Sequence, residues 1–123
     1  MKNLIQKNKI AHNFEGICID SGSRRNIIQY NNISHNEVFG IIIEDGSNFN
    51  KISRNNFIKN CLETPLGQAY FKFCFYNRWK KNYWNSPRIL PKVIQGGIGN
   101  IAPWINFDWR PALKPYDIPR VAI

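Results

Sequence analysis

Several features of common protein classes are missing from this sequence. Its 123 residues contain no apolar run near the length of a membrane-spanning helix, which is about 18 residues. The opening stretch, MKNLIQKNKIAHN, has no apolar segment of the kind that signal peptides carry. Acidic residues are few, 8 against 17 lysines and arginines, so the formal net charge is +9. We therefore predict one basic domain without a membrane span or signal peptide, which leaves a cytoplasmic location open.

Long helix-forming stretches are also missing, because asparagine or glycine interrupts residues 1–60 every few positions. Instead, an eleven-residue phrase occurs three times: NLIQKNKIAHN at 3–13, NIIQYNNISHN at 26–36 and NKISRNNFIKN at 50–60. The phrases start 23 and then 24 residues apart, and the first two are followed by GICIDSGS and GIIIEDGS. Self-similarity at this period indicates a solenoid.

Short β-strands separated by tight turns are the structure that such interrupted units can build. Stacking the phrases places apolar residues in rows: Ile5, Ile28 and Ile52; Ile10, Ile33 and Phe57; Ile17 over Ile41 and Ile19 over Ile43. Three strands in each turn of about 23 residues are typical of a parallel β-helix. We predict an all-β parallel β-helix of about two and a half coils.

The asparagines recur every five residues within each phrase. Successive coils of a β-helix stack about 4.8 Å apart, so an asparagine amide can both donate to and accept from its counterparts in neighbouring coils. Asparagine also tolerates the left-handed backbone of a sharp corner. We predict a structural ladder of corner residues formed by Asn3, Asn8, Asn13, Asn26, Asn31, Asn36, Asn50, Asn55 and Asn60.

The chain has two parts. Residues 1–60 carry the repeats, and the pattern changes over residues 61–123, where all seven prolines lie. WINFDW in this second part alternates as a half-buried strand does, and the nearby prolines prevent further strand pairing. We predict that residues 61–123 form the last coil and an aromatic, proline-rich cap, in a single structural domain with the repeats.

The first coil has no cap in this sequence, and open strand edges promote association. We therefore expect either self-association through the first coil or an upstream β-helix segment that covers it. On this interpretation the chain is part of a longer solenoid.

Cysteine and histidine do not form a metal motif. Cys18, Cys61 and Cys74 show no CxxC spacing, and we interpret them as structural thiols; a pair between the last two requires the loop between them to fold back. His12 and His35 occupy one repeat position, but Lys59 stands there in the third repeat, and a cation disfavours a metal. We predict no metal and no cofactor.

The phrase NxIxxNxIxxN with its GIxI runs resembles the parallel β-helix repeats of NosD-like, carbohydrate-binding and sugar-hydrolase (CASH) proteins. The ending CFYNRWKKNYWNSPRILPKVIQGGIG, followed by PWINFDWRPALKPYDIP, is similar to the C-terminal ends of archaeal, methanogen-type surface proteins of that class. The resemblance implies a right-handed helix and a cell-surface or extracellular location. It implies no agreed activity. NosD itself is linked to the maturation of a periplasmic copper enzyme, but the single methionine and two histidines of this chain form no copper-ligand cluster.

Three functions are compatible with such a solenoid. We favour a non-catalytic carbohydrate-binding or scaffolding module, because a rigid face with aromatic and basic residues can bind a polymer. A polysaccharide lyase or glycoside hydrolase is the alternative, since Asp20 and Glu44 are in register with Asp45 beside them; both acids, however, precede a Gly-Ser turn, where acids commonly bond their own backbone. Nucleic-acid binding ranks third, because no nucleic-acid motif accompanies the charge.

A basic aromatic segment supplies the candidate ligand-binding residues. Six lysines and arginines and no acid occur between residues 72 and 92. These residues either bind an anionic polysaccharide or solubilise a cap whose aromatics fill the core. The candidate binding residues are Arg78, Trp79, Lys80, Lys81, Tyr83 and Trp84, and we assign no catalytic residue.

Overall fold

The computed structural model describes residues 3–63, 65–74, 76–98 and 102–118, so the end of the predicted cap, residues 119–123, lies outside the described residues. Within them, short strands and one 3-10 helix, Pro65–Gln68, wind into four successive coils. The strands are β1 Leu4–Gln6, β2 Lys9–Ala11, β3 Glu15–Ile19, β4 Ile27–Gln29, β5 Asn32–Ser34, β6 Phe39–Glu44, β7 Lys51–Ser53, β8 Asn56–Ile58, β9 Ala69–Lys72, β10 Arg78–Lys80, β11 Tyr83–Trp84, β12 Lys92–Ile98 and β13 Ala102–Asp108. The part of the chain that the structure describes has no apolar helix of membrane-crossing length.

The strands stack in parallel, coil on coil. One stack runs β1-β4-β7-β10, a second runs β3-β6-β9-β12, and a third forms a separate four-stranded sheet, β2-β5-β8-β11. Strand β13 pairs in parallel with β10 and antiparallel with β12, so the last hairpin joins the first two stacks into one nine-stranded sheet. The predicted all-β parallel β-helix is confirmed.

The predicted apolar rows pack together in the core, which also takes in residues of the later strands such as Phe71, Trp79 and Trp84. Ile5, Ile28 and Ile52 are register partners in the first stack, and Ile10, Ile33 and Phe57 are partners in the third. In the two middle coils these side chains have no exposed surface. Each contributes roughly 1.5 to 3 kcal/mol by burial, so the rows are the main apolar source of stability.

The corners differ from the prediction in one respect. The residue with left-handed backbone is the one that precedes the asparagine, as at Lys7 (φ 57°) and Tyr30 (φ 55°), and not the asparagine itself. The Asn31 Nδ2 donates to the carbonyl of Gln29 at 3.1 Å, and Asn8 makes the same bond to Gln6. The side-chain amide of the asparagine thus bonds across the residue with left-handed backbone. The asparagine stabilises the corner through this hydrogen bond and not through its own backbone conformation.

The asparagines are bonded in columns along the solenoid. The backbone N–H and the Nδ2 of Asn8 both donate to the Asn31 Oδ1 at 3.1 Å, and Asn31 donates in the same way to Asn55. Since Asn31 and Asn55 are fully buried, these bonds satisfy groups that water does not reach. The columns are Asn3–Asn26–Asn50–Asn77, Asn8–Asn31–Asn55–Asn82–Asp108 and Asn13–Asn36–Asn60–Gln68.

The repeated glycine of the GIxI runs lies against this ladder. A Cβ atom on Gly16 would meet the Gly40 carbonyl oxygen at 2.5 Å and the Asn36 Nδ2 at 2.8 Å. A Cβ atom on Gly40 would meet the Asn60 Nδ2 at 2.9 Å. Glycine recurs here because each coil passes close to a ladder amide.

The repeats extend further than predicted, since the described residues contain a fourth coil where about two and a half were expected. Asn77 and Asn82 continue two ladder columns, and Trp79 and Trp84 continue the rows that Ile52 and Phe57 occupy. This repeat follows the third after 27 residues, because the connection that contains the 3-10 helix is longer. The repeated phrase is also less regular here, because Trp79 takes the position of Ile52 and Trp84 that of Phe57.

Asp108 ends the central ladder column at the C-terminal side. It is fully buried, and its carboxylate accepts bonds from the backbone N–H of Lys81, Asn82 and Arg110 and from the side chains of Asn82 and Trp84. The distances lie between 2.9 and 3.2 Å. The predicted cap is thus the β12–β13 hairpin together with one carboxylate that replaces the next ladder amide.

Candidate anion-binding groove

A groove of about 710 Å³ runs along the outer face where β10 pairs with β13. The groove exists because β13 continues the first stack by one strand, which places the hairpin directly over the fourth coil. The residues that line the groove are Lys51, Asn77, Arg78, Trp79, Lys80, Ile105, Asn106, Phe107, Trp109 and Arg110.

Four cations face this groove, and its lining includes no acid. Lys51 and Arg78 are register partners on neighbouring strands, and Lys80 lies on the same face of β10 as Arg78. Arg110 follows β13, and the side chains of all four are exposed. Asp108 is close in sequence, but its carboxylate is buried inside the solenoid, so it does not enter the groove. Positive charge is therefore concentrated without a local counter-ion.

An aromatic platform lies beside the cations. The ring of Trp109 stacks on that of Phe107 with centroids 4.5 Å apart and an interplanar angle of 26°. Trp109 is 66% exposed, so one face of its indole is open to a ligand. Exposed aromatics of this kind stack on the apolar faces of sugar rings or on nucleobases.

The six predicted binding residues separate into an exposed, a half-buried and a buried group. Arg78, Trp79 and Lys80 all line the groove, but Trp79 and Trp84 are each only 4% exposed, so only Arg78 and Lys80 present an exposed side chain to it. Trp84 stacks on the core ring of Phe57 at 4.5 Å, which places its indole among the apolar rows. The inclusion of Trp79 and Trp84 among the candidate binding residues is corrected, because both side chains are buried and fill the core, which was the alternative interpretation of the aromatics.

Lys81 and Tyr83 are half-buried and lie outside the groove lining. Lys81 is a corner residue with φ 57°, and its backbone is held by Asp108 and by the Tyr116 hydroxyl, which donates to the Lys81 carbonyl at 2.6 Å. Tyr83 is in the four-stranded sheet as the partner of Asn56. Neither is brought together with Arg78 and Lys80.

Seven groove residues were absent from the prediction: Lys51, Asn77, Ile105, Asn106, Phe107, Trp109 and Arg110. A signal existed for Lys51, since it occupies in the third repeat the position that Arg78 occupies in the fourth. Phe107 and Trp109 alternate with Asp108, but the side that faces solvent is decided by the burial of that carboxylate.

The acids considered for catalysis lie elsewhere, at the end of β3 and β6. One carboxylate oxygen each of Asp20 and Glu44 and the Sγ of Cys18 are within 4.8 Å of one another. The Cys18 Sγ donates to Glu44 Oε1 at 3.6 Å. Burial, then this bond and the Glu44 charge, raise the pKa of Cys18 to about 11. The cluster is close enough for paired-carboxylate chemistry, but it is an open surface outside the groove.

The remaining cysteine and histidine predictions concern surface and core chemistry. Cys18, Cys61 and Cys74 are all free thiols, with Cys74 buried. The rings of His12 and His35 stack with centroids 5.4 Å apart, and both side chains are exposed. The two histidines are therefore in the register that the repeat predicts.

The architecture matches that of a known protein family. The model of the right-handed beta helix region matches residues 1–83, about two thirds of the chain, and the chain belongs to that family. The match ends within the fourth coil, so the hairpin and the aromatic platform lie beyond it. Searches of curated proteins and of solved structures found no match.

Proposed function

We propose that this chain is a non-catalytic β-helix module that binds an anionic polysaccharide in the groove between β10 and β13. The observation that carries the proposal is the set of four exposed cations, Lys51, Arg78, Lys80 and Arg110, around an acid-free groove with an open tryptophan. Cations attract the carboxylate or sulfate groups of the polymer, and Trp109 supplies a flat apolar surface for one sugar ring.

A glycan is preferred to a nucleic acid because of the number of stacking platforms. Proteins that bind single-stranded nucleic acid without sequence preference stack successive bases on several aromatic side chains. The groove offers one exposed platform, Trp109 on Phe107. Trp79 and Trp84, which would have extended it, are buried.

As part of this proposal, the protein acts at the surface of an archaeal cell. The resemblance of its repeats to those of NosD-like and CASH-class proteins supports this location. A rigid solenoid that carries a polymer-binding groove suits a protein that contacts cell-wall or extracellular glycans. The open first coil supports a scaffolding contribution, in which the module joins a further β-helix coil.

Binding of polygalacturonate, measured by calorimetry, tests the proposal. We expect the double variant Arg78→Ala, Lys80→Ala to bind roughly tenfold more weakly, because two exposed charges are removed. Lys9→Ala, an exposed lysine on β2 outside the groove, is the matched control and should leave binding unchanged. Affinity should also fall with added salt, since exposed charges are screened over about 8 Å at physiological ionic strength.

Two results would contradict the proposal. Binding that is equal in all variants and insensitive to salt removes the groove from the function. Tighter binding of an oligothymidylate than of polygalacturonate assigns the groove to nucleic acid instead.

The catalytic alternative is tested on the same polymers. Release of reducing sugar or unsaturated uronate that disappears in Asp20→Asn and in Glu44→Gln, with folding intact, would replace the binding module by a hydrolase or lyase. Without such turnover, the acids at the ends of β3 and β6 remain surface groups.

A further inference from the structure

A second, smaller cavity lies along the first residues of β12. It has a volume of about 150 Å³ and is lined by Ala69, Trp84, Arg88, Lys92, Val93, Ile94 and Gln95. None of these residues lines the groove between β10 and β13, so the two sites are separate. A cavity holds one water when this volume reaches about 10 to 15 Å³, so the cavity has room for a small polyatomic group.

Two cations face this cavity without an acid. Arg88 and Lys92 are half-buried, and no aspartate or glutamate is among the lining residues. Burial and then the charge of Arg88 lower the pKa of Lys92, as expected for two like charges held together. A protein gains no stability from such an unpaired arrangement, which an anion between the two cations would relieve.

The guanidinium of Arg88 has an unused donor. Its Nη2 donates to the Pro91 carbonyl at 3.3 Å, which fixes the side chain against the loop before β12. Its Nε is buried, and no described group accepts a bond from it. A buried charged donor without an acceptor is costly, so the site lacks one hydrogen-bond acceptor.

The floor and rim of the cavity have complementary roles. Trp84 and Ile94 form a buried apolar floor, and the Lys92 Nζ lies 6.0 Å from the centroid of the Trp84 ring. Gln95 is exposed at the rim and can donate through its side-chain amide. The cavity therefore supplies two charges and a neutral donor around a space of limited size.

We propose that this cavity binds a small oxyanion, a sulfate, phosphate or carboxylate group, between the Arg88 guanidinium and the Lys92 ammonium. The planar guanidinium can present Nε–H to one oxygen in fixed geometry, and the ammonium neutralises a second. The site is independent of the groove proposed for the polysaccharide, and either can exist without the other.

The Nε–H resonance of Arg88 in ¹⁵N-labelled protein tests the site directly. It is assigned by its loss in Arg88→Lys, and the protein is titrated with sulfate, phosphate or galacturonate while chloride keeps the ionic strength constant. We expect a saturable shift of this resonance with at least one oxyanion. Lys92→Met should weaken the binding about tenfold, since one charge-assisted contact is lost. Arg24→Gln, an exposed arginine far from the cavity, should change nothing.

The three anions distinguish the source of the oxyanion. Saturation by sulfate or phosphate alone indicates an inorganic anion or an ester of that shape, and saturation by galacturonate alone indicates a sugar carboxylate. The absence of a saturable shift with all three would overturn the proposal. So would a shift that persists unchanged in Lys92→Met.

Discussion

The two ends of the solenoid are built from the same repeat but finish differently. At the C-terminal end the β12–β13 hairpin covers the last coil, and the Asp108 carboxylate accepts the final donors of the central ladder column. At the N-terminal end Leu4 is 55% and Phe14 63% exposed, and no described residue donates to the Oδ1 of Asn8.

The difference follows from the direction of the ladder. Each asparagine donates through its backbone N–H and its Nδ2 to the next coil, so the C-terminal end needs an acceptor and the N-terminal end needs donors. A single buried carboxylate can satisfy the first need, because it accepts several bonds at once. At the exposed Asn8 the second need is met by water, or by a further strand that carries its own asparagine.

The largest effect is expected at the capped end. Asp108→Ala leaves five donor bonds without an acceptor and should lower the free energy of unfolding by about 3 kcal/mol or more, measured by urea denaturation. Asp117→Ala removes an exposed carboxylate from the same tail and should cost under about 0.5 kcal/mol. Equal losses in the two variants would show that Asp108 does not terminate the ladder.

The next effect compares the middle of a column with its open end. Asn31→Ala removes the acceptor of Asn8 and the donor to Asn55 at a fully buried position, and should cost about 1 to 3 kcal/mol. Asn8→Ala should cost under about 0.5 kcal/mol, because residue 8 is exposed and its backbone N–H still donates to Asn31. Urea melts of the pair decide the question, and a larger loss for Asn8→Ala would reverse the expected order.

A smaller effect is expected on association. Among the described residues no strand pairs with the outer edge of β1 or β2, and we expect weak reversible self-association of the chain through this edge. Leu4→Lys places a charge on this edge and should weaken association about tenfold in sedimentation experiments. Leu113→Lys changes a similarly exposed leucine in the C-terminal tail and should have no effect. A chain that remains monomeric at all concentrations would show that the edge is already protected.

The last effect concerns the Cys18 thiol in the first coil, and it is a change in reactivity rather than in stability or association. Because its pKa is raised from about 9 to about 11, its thiolate forms only at high pH, and alkylation at pH 8 should be about 100-fold slower than for an ordinary exposed thiol. The rate should keep rising between pH 9 and pH 11, and Glu44→Gln should increase it, since a bonded negative charge is removed. Peptide mass spectrometry separates Cys18 from the other thiols. Alkylation that levels off near pH 9 would contradict the shift.

The repeats were predictable from the sequence because their information is local and periodic. Ile28, Ile33 and Asn31 recur at one spacing, and that spacing dictates which side chains stack. A complete fourth coil was not predicted, because its spacing is 27 residues and because Trp79 and Trp84 occupy positions that smaller residues hold in the third repeat. A longer connection costs little in a solenoid, so the period alone underestimates the number of coils.

The groove was only half predictable. Arg78 and Lys80 are neighbours in the chain and stood out as a basic segment, whereas Arg110 joins them only because β13 returns to pair with β10. Which face of β13 is exposed depends on the bonds that Asp108 makes inside the solenoid. Such information lies in tertiary contacts, and no local pattern encodes it.

The functional difference between the two ends can be measured in one experiment. Backbone amide chemical shifts of the ¹⁵N-labelled chain are recorded with increasing polygalacturonate. If the groove binds the polymer, shifts should change at residues 78–80 and 105–110, and residues 4–11 of the open coil should not respond. Changes confined to residues 4–11, or none at residues 78–80, would contradict binding at the capped end.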